Sequence, residues 1–172
     1  MADGTFAVLT LALGLWNMSQ NHCPNEGCLA YNQVPSYTAI SGGGVYFQDE
    51  HVDEEIYIRR DTRKAHGPFQ MIYGLSVTGR GDAWAGLGHA YTMSNRSQSA
   101  YMQLHAMTGL YLQGGGPDLG GPIEFRSGIE FGLQGRSGAR FGLAYDHRSN
   151  AGLYGDNLGL ETIQLRVSIP TN

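Results

Sequence analysis

Three segments between residues 123 and 169 alternate apolar and polar side chains with a period of two, and this alternation constrains the fold more than any other feature. Successive side chains of a β-strand point to opposite faces, so the period predicts strands with one apolar face. The apolar positions are Ile123, Phe125, Ile129, Phe131, Leu133, Phe141, Leu143, Tyr145, Ile163, Leu165, Val167 and Ile169. The opposite positions include charges of both signs, such as Glu124, Arg126 and Arg166. This region is therefore predicted to be β-sheet with one charged face.

The most reactive side chains of this region lie on the apolar faces. His147 and Ser149 share the apolar parity of their segment, and Glu161 shares that of the next. A soluble barrel or sandwich buries its apolar parity and exposes the polar one. A transmembrane β-barrel instead turns its apolar parity to lipid and its polar parity to the lumen, where Glu and Arg can pair. The alternation therefore indicates a membrane barrel.

Turn signals divide residues 41 to 170 into roughly eight strand candidates. We place them near residues 42–49, 53–61, 67–78, 82–93, 98–113, 120–134, 138–149 and 158–169. Eight strands make the smallest common membrane barrel, whose interior is filled by side chains, and this disfavours a transport function. We predict an all-β protein with an eight-stranded antiparallel transmembrane β-barrel over residues 41–172. An irregular or helical N-terminal extension, or a signal-like segment, is predicted over residues 1–40.

The composition is consistent with this fold. Charged residues make up 15% of the chain, against about 25% in typical globular proteins. The 26 glycines and ten tyrosines suit closely paired strands between aromatic girdles. The net charge of -4 argues against nucleic acid as a partner. No run of apolar residues is long enough to predict a transmembrane helix.

The first residues carry a short apolar run from Phe6 to Leu15. It is long enough for the hydrophobic region of a signal peptide but too short to span a bilayer. A secretory signal opens with Lys or Arg, whereas the only early charge is Asp3. Two alternatives stay open: the start is displaced, or the apolar segment remains in the product.

Cys23 and Cys28 have four residues between them, with Pro24 and Gly27 allowing a tight loop. A disulfide is the interpretation we favour, because the periplasm and the cell exterior favour oxidation. Two cysteines and His22 fall short of the four ligands of a usual zinc site, so no metal is predicted.

His147, Ser149 and Glu161 are the candidate catalytic residues. A serine hydroxyl becomes a good nucleophile when an imidazole accepts its proton, and a third group must orient that imidazole. The roles are then Ser149 as nucleophile, His147 as base and later acid, and Glu161 as orienting carboxylate. A His-x-Ser pair on a strand often occurs by chance. A carboxylate on a lipid-facing parity is costly without a partner, however, and a triad supplies that partner.

The C-terminal third resembles the lipid A 3-O-deacylases, also called acyloxyacyl hydrolases. The resemblance is carried by residues 118–130, by the motif His147-x-Ser149-Asn150-Ala151-Gly152 and by Gly159-Leu160-Glu161-Thr162. It implies a barrel of the bacterial outer membrane that removes an ester-linked acyl chain from lipid A in lipopolysaccharide. It also implies that a Ser-His-Glu triad on the lipid-facing wall performs the hydrolysis, and no cofactor is expected.

Further residues are expected to support this chemistry. The backbone amides of Asn150 and Gly152 are candidates for an oxyanion hole, since they follow the strand end. Same-face neighbours on a strand are about 6.5 Å apart at Cα, so we expect a bend or bulge near Asn150 to bring His147 and Ser149 together. Arg59 and Arg60 are candidate contacts for lipid A phosphates, because guanidinium groups match phosphate geometry.

Two other functions remain open from the sequence. One is a non-catalytic outer-membrane barrel that binds lipid or a protein partner in an assembly. The other is a soluble lipid-binding barrel of inverted polarity. Gln103 and His105 interrupt the apolar parity of the fifth strand candidate, which indicates either a homodimer contact or a misplaced register.

Overall fold

The computed structural model describes residues 4–25 and 27–171. Helix α1 spans Thr5–Asn17 and continues into a π-helical turn, Met18–His22. Nine strands follow: β1 (Tyr31–Gln33), β2 (Ser36–Phe47), β3 (Glu50–His66), β4 (Phe69–Thr78), β5 (Ala83–Ser94), β6 (Ala100–Leu112), β7 (Ile123–Gln134), β8 (Arg140–Ser149) and β9 (Gly159–Thr171).

Strands β2 to β9 form a closed antiparallel barrel. Each pairs with its neighbour in sequence, β2 pairs with β9, and the three-residue β1 extends one end of β3. The prediction of an eight-stranded antiparallel barrel with a helical N-terminal extension is confirmed. The boundary placed between residues 40 and 41 falls inside β2.

The two ends of the barrel differ in their connections. One end, here called the long-loop end, carries the segments 113–122 and 150–158 together with residues 48–49 and 79–82. The other, the short-turn end, carries residues 67–68, 95–99 and 135–139. Membrane barrels place longer loops outside the cell and short turns in the periplasm, so the long-loop end is the extracellular one.

The outer face of the barrel is apolar, as the alternation predicts. Many large side chains are exposed there, among them Ile56, Leu75, Leu110, Phe131, Leu143, Leu165 and Val167. The lumen is filled by buried polar and charged side chains. Arg126 is central, because its guanidinium lies 2.7 Å from both Glu55 and Asp146 and stacks over the Tyr57 ring. The charged parity of the sequence is thus the lumenal one.

The register of β6 corrects one expectation. Gln103 and His105 point into the lumen, where they are 1% and 0% exposed. The apolar parity of this strand is therefore the other one, which contains Leu104 and Leu110. The error arises because Met107 and other apolar or aromatic residues of β6 also line the lumen, so both faces of the strand contain apolar side chains. A misplaced register explains the interruption, and the dimer contact loses this support.

Helix α1 lies against the outer wall formed by β5, β6 and β7. Its N-terminal turn packs Phe6 edge-on against Tyr145, with ring centroids 5.6 Å apart. Further along, Gly14 lies so close to the Phe69 ring that a Cβ there would be 2.2 Å from it. The helix therefore runs from the long-loop end toward the short-turn end.

The other side of α1 is exposed and apolar, with Val8, Leu15 and Trp16 among its exposed residues. None of the described helices is both long enough and apolar enough to cross a membrane. Cys23 and Cys28, the candidate disulfide pair, are bonded to each other in the segment that joins the helix to β1.

Candidate active site

His147 and Glu161 lie directly opposite each other on β8 and β9. Side chains at such cross-strand positions have Cβ atoms about 4.5–5.5 Å apart, within reach of a hydrogen bond. His147 Nδ1 is 3.1 Å from Glu161 Oε1. Since an ionised carboxylate only accepts, Nδ1 carries the proton in this bond, and Nε2 is then the basic nitrogen of the ring. The arrangement is that of an oriented general base.

Ser149 is the last residue of β8 and points to the same outer face. Its cross-strand neighbours are Phe125 on β7 and Gly159 on β9. A Cβ at Gly159 would lie 2.6 Å from Cε1 of His147 and 3.3 Å from its Nε2. The imidazole therefore leans over Gly159, toward the row of residues that contains Ser149. Only glycine, which has no side chain, leaves room at position 159 for the imidazole ring.

The pairing of β8 with both neighbours is regular as far as Ser149. The strand therefore has no bulge at its end near Asn150. The His147 ring instead approaches the row of Ser149 by leaning over Gly159. The chain turns just afterwards, where Ala151 and Gly152 both adopt positive φ angles of 53° and 78°.

Asn150 and Gly152 are engaged with each other. The Gly152 amide donates to Asn150 Oδ1 at 2.7 Å. The Asn150 side chain, which is fully buried, donates in turn to the carbonyls of Leu119 and Asp156. The Gly152 amide is thus used inside the turn, and the expected pair of oxyanion donors is not assembled in this conformation. Asn150 instead ties together the two long loops.

A second serine, Ser127, was missed by the sequence argument. It lies on β7 directly opposite His147, on the same outer face, and is only 6% exposed. Ser127 has the same parity as Phe125, and the short turn between β7 and β8 sets the pairing of the two strands. The sequence pattern therefore already places Ser127 opposite His147 on the outer face. Ser127, His147 and Glu161 form one cross-strand row.

The site is buried although it occupies the lipid-facing wall. His147 is 2% exposed and Ser149 is 6% exposed. The start of α1 covers part of this wall and borders a partly open cavity of about 390 Å³, lined by Gly4 and Ala7 on the helix side and by Phe125, Ser127 and Ser149 on the barrel side. Nothing in the sequence pattern predicts this cover.

The lumenal side chains fix β8 from behind. Arg148 points into the lumen, as its parity predicts, and donates to Glu55 at 2.9 Å. Asp146 accepts from Arg126 Nε at 2.9 Å. The residues on either side of His147 are thus anchored in a buried charge network while His147 itself points outward. Among the described residues, no three His, Cys, Asp or Glu side chains are grouped so as to hold a metal ion.

The expected phosphate contact of Arg59 is wrong. Arg59 is 2% exposed in the lumen, where its Nε lies 2.8 Å from Asp61. The run of basic residues after Arg59 belongs to the long strand β3 and not to a loop, so alternate side chains point inward. Arg60 points outward but bonds Thr38 and Thr171, near the short-turn end and far along the wall from Ser149.

Comparisons with known proteins agree with this architecture. A protein-family model described as Lipid A 3-O-deacylase (PagL) matches residues 62–170. No curated protein matches the sequence significantly. The crystal structure of the outer membrane enzyme PagL superposes with a TM-score of 0.62 at 19% identity, covering 78% of this chain and 99% of that one.

Two further solved structures have similar barrels. A de novo designed transmembrane β-barrel has a TM-score of 0.58 at 10% identity, covering 81% of this chain and 99% of that one. Neisserial surface protein A (NspA) has a TM-score of 0.50 at 8% identity, covering 83% of this chain and 99% of that one. At these identities the likenesses show the fold alone.

Proposed function

Because the family model matches more than half of it, the chain belongs to the lipid A 3-O-deacylase (PagL) family, and we propose that Ser149, His147 and Glu161 are its catalytic triad. The chain is an outer-membrane β-barrel. The observation that carries the triad is the pair formed by His147 and Glu161, 3.1 Å apart on the lipid-facing wall, with Ser149 in the adjoining row. The proposed reaction is hydrolysis of an ester-linked acyl chain of lipid A.

The reaction proceeds in two halves, as in other serine hydrolases. Ser149 Oγ attacks the ester carbonyl while its proton passes to Nε2 of His147. Collapse of the tetrahedral intermediate breaks the bond to the sugar oxygen, which takes the proton back from His147. Water then attacks the acyl-enzyme by the same route and releases the fatty acid. Glu161 stabilises the imidazolium that forms in each half.

The tetrahedral intermediate needs hydrogen-bond donors at its oxygen. The main-chain amide of Asn150 directly follows the nucleophile and is the candidate that the geometry favours. The Gly152 amide becomes a second donor only if it leaves Asn150 Oδ1, to which it is bonded at 2.7 Å. Reorganisation of the turn 150–152 on substrate binding is therefore part of the proposal.

The position of the site favours a lipid ester over a soluble one. The triad lies at the long-loop end of the outer wall, beside a cavity that is partly open to the surface, so a membrane lipid can reach it without leaving the bilayer. An acyl ester has its reactive carbonyl at the boundary between head group and acyl chains, and the end of β8 lies at that side of the barrel. A homodimer or an assembly partner stays a prediction.

The experiment is mass spectrometry of lipid A after incubation in detergent with three proteins: wild type, Ser149→Ala and Ser127→Ala. We expect the wild type to remove one acyl chain and Ser149→Ala to lose about a thousandfold or more of that activity. Ser127→Ala is the matched control, because it removes the other hydroxyl next to His147. It is expected to keep activity within about tenfold.

Two results would contradict the proposal. If Ser127→Ala were inactive and Ser149→Ala active, Ser127 would be the nucleophile. If the folded wild-type barrel left lipid A unchanged in every condition, the non-catalytic lipid- or protein-binding function would take the place of hydrolysis.

A further inference from the structure

We propose that α1 and the outer wall of the barrel form a two-chamber channel, partly open along its length, that holds the acyl chain of the substrate during cleavage. This inference rests on the proposed function, since it takes Ser149 as the nucleophile at the mouth of the channel. Helix α1 lies outside the residues that match the family model. The helix side of the channel is therefore argued from this chain and not from the family match.

The first chamber is the cavity of about 390 Å³ that touches Ser149. Its walls are mostly small or apolar, with Gly4 and Ala7 on the helix side and Ala106 and Phe125 on the barrel side. This volume lies in the range of about 300–1,000 Å³ typical of small-molecule pockets. An acyl carbon attached to the ester carbonyl at Ser149 would enter this chamber first.

The second chamber continues under the same helix. It measures about 360 Å³ and is lined by Thr10, Leu11, Leu29, His66, Phe69, His89 and Ala106. Ala106 lines both chambers, so the two adjoin at this residue. The far end is bounded by Phe69, whose ring packs closely on Gly14 of the helix. The two chambers therefore form one path that begins at Ser149 and ends near the short-turn end.

This channel selects substrates by the length of their acyl chain. An acyl chain that moves from the bilayer into the channel exchanges one apolar environment for another, so the hydrophobic effect adds little to binding. What the channel supplies is geometry, because it fixes the first carbons of the chain and with them the ester carbonyl beside Ser149. A short chain fills only the first chamber, whereas a long chain must pass Ala106.

The first test closes the junction with Ala106→Leu and measures kcat/KM for esters that share one alcohol and carry butanoyl, octanoyl or tetradecanoyl chains. We expect Ala106→Leu to lower the ratio of tetradecanoyl to butanoyl activity by about tenfold or more, the scale of a few misfitted methylene groups. Ala7→Leu narrows the first chamber from the helix side and should reduce activity on all but the shortest ester.

The matched control is Ala85→Leu. Ala85 is exposed on the outer face of β5 and does not line either chamber, so the same substitution there should leave the chain-length profile unchanged. An Ala106→Leu barrel that folds and shows the wild-type profile would overturn the channel. The same holds if Ala85→Leu shifts the profile as much as Ala106→Leu does.

The second test needs no catalysis and so separates this inference from the proposed function. Ser149→Ala protein is incubated with a tetradecanoyl ester that carries a photoreactive diazirine either next to the carbonyl or at the chain end. We expect the first probe to label β7 around Phe125 and the second to label α1 around Thr10 and Leu11. These labels together with an inactive wild type would refute the proposed hydrolysis and leave the channel intact.

Three results would refute the channel itself. One is labelling of the open wall around Leu143 and Leu165 with no labelling of α1. Another is equal labelling of α1 by a diacyl phosphatidylethanolamine with the same photoreactive group, which would make the cavity a general lipid site. The third is an intact mass showing that the outer-membrane protein begins after Asn17 and has no helix to form the channel.

Discussion

Gly159→Ala tests the triad geometry without touching any of its members. A Cβ at this position would lie 2.6 Å from His147 Cε1, whereas ordinary contacts begin near 3.4 Å. The next nearest atoms are Nε2 of the same ring and the carbonyl oxygen of Arg148, at 3.3 and 3.4 Å. The clash is therefore confined to the imidazole, which must move by about 0.8 Å.

A displacement of about 1 Å in a catalytic group can cost about a hundredfold in rate. We expect Gly159→Ala to lower kcat for lipid A deacylation by about thirtyfold to a hundredfold. KM should change little, because the methyl group moves the base and not the lipid-binding surface. The assay is the initial rate of acyl release in detergent, with heat-dependent gel mobility as the check that the barrel is folded.

Gly42→Ala is the matched control. Gly42 is also a strand glycine on the outer face, but its added Cβ would meet only the Glu55 carbonyl oxygen, at 3.8 Å, an ordinary contact. It should keep wild-type kcat. A Gly159→Ala enzyme with wild-type kcat would show that His147 does not need the space above Gly159, and the account of how the ring reaches Ser149 would be wrong.

Other substitutions test the remaining parts of the structure. Glu161→Gln should keep the fold and lower kcat by about a hundredfold to ten-thousandfold, because the neutral amide no longer stabilises the imidazolium; full activity in the acyl-release assay would remove Glu161 from the triad. Arg126→Met should lower the free energy of unfolding by about 3–5 kcal/mol, because it leaves Glu55 and Asp146 without this buried partner; an unchanged urea midpoint in detergent would contradict that. Arg60→Ala should leave KM for lipid A unchanged, since Arg60 bonds Thr38 on the wall away from Ser149.

The part of the fold that the sequence predicts best is the part where the two faces of a strand differ most in chemistry. In β7 and β9 one parity is large and apolar while the other carries Glu, Gln or Arg, so lumen and lipid sides are unambiguous. In β6 the lumen accepts Tyr101, Met107 and Tyr111, which are apolar in any simple pattern. Alternation therefore does not distinguish the lumenal face of β6 from its outer face, and the register predicted for this strand was wrong.

The candidate site likewise has features that the sequence predicts and features that it does not. The pairing of His147 with Glu161 follows from parity and from the antiparallel neighbourhood of their strands, and both are visible in the sequence. The docking of α1 is not visible, because an apolar helix on an apolar wall has no complementary charge or motif to reveal the contact. Arg59 was misplaced for another reason: it was assigned to the surface because of its charge, although it lies in a strand of 17 residues whose side chains alternate between lumen and outer face.

The proposed triad is polar and lies on the lipid-facing wall, which poses an energetic problem that this structure resolves in three ways. Charged side chains on the lipid face of a barrel are most costly at the bilayer midplane and much less so near the interface, and the triad lies at the long-loop end of its strands. His147 and Glu161 are partners, so neither meets lipid alone. The start of α1 then covers the row and leaves Ser149 only 6% exposed. The same cover that shields these residues from lipid borders the cavity beside Ser149, so in the proposed mechanism protection of the site and positioning of the acyl chain depend on one element. Loss of α1 should therefore affect stability of the site and chain-length selection together.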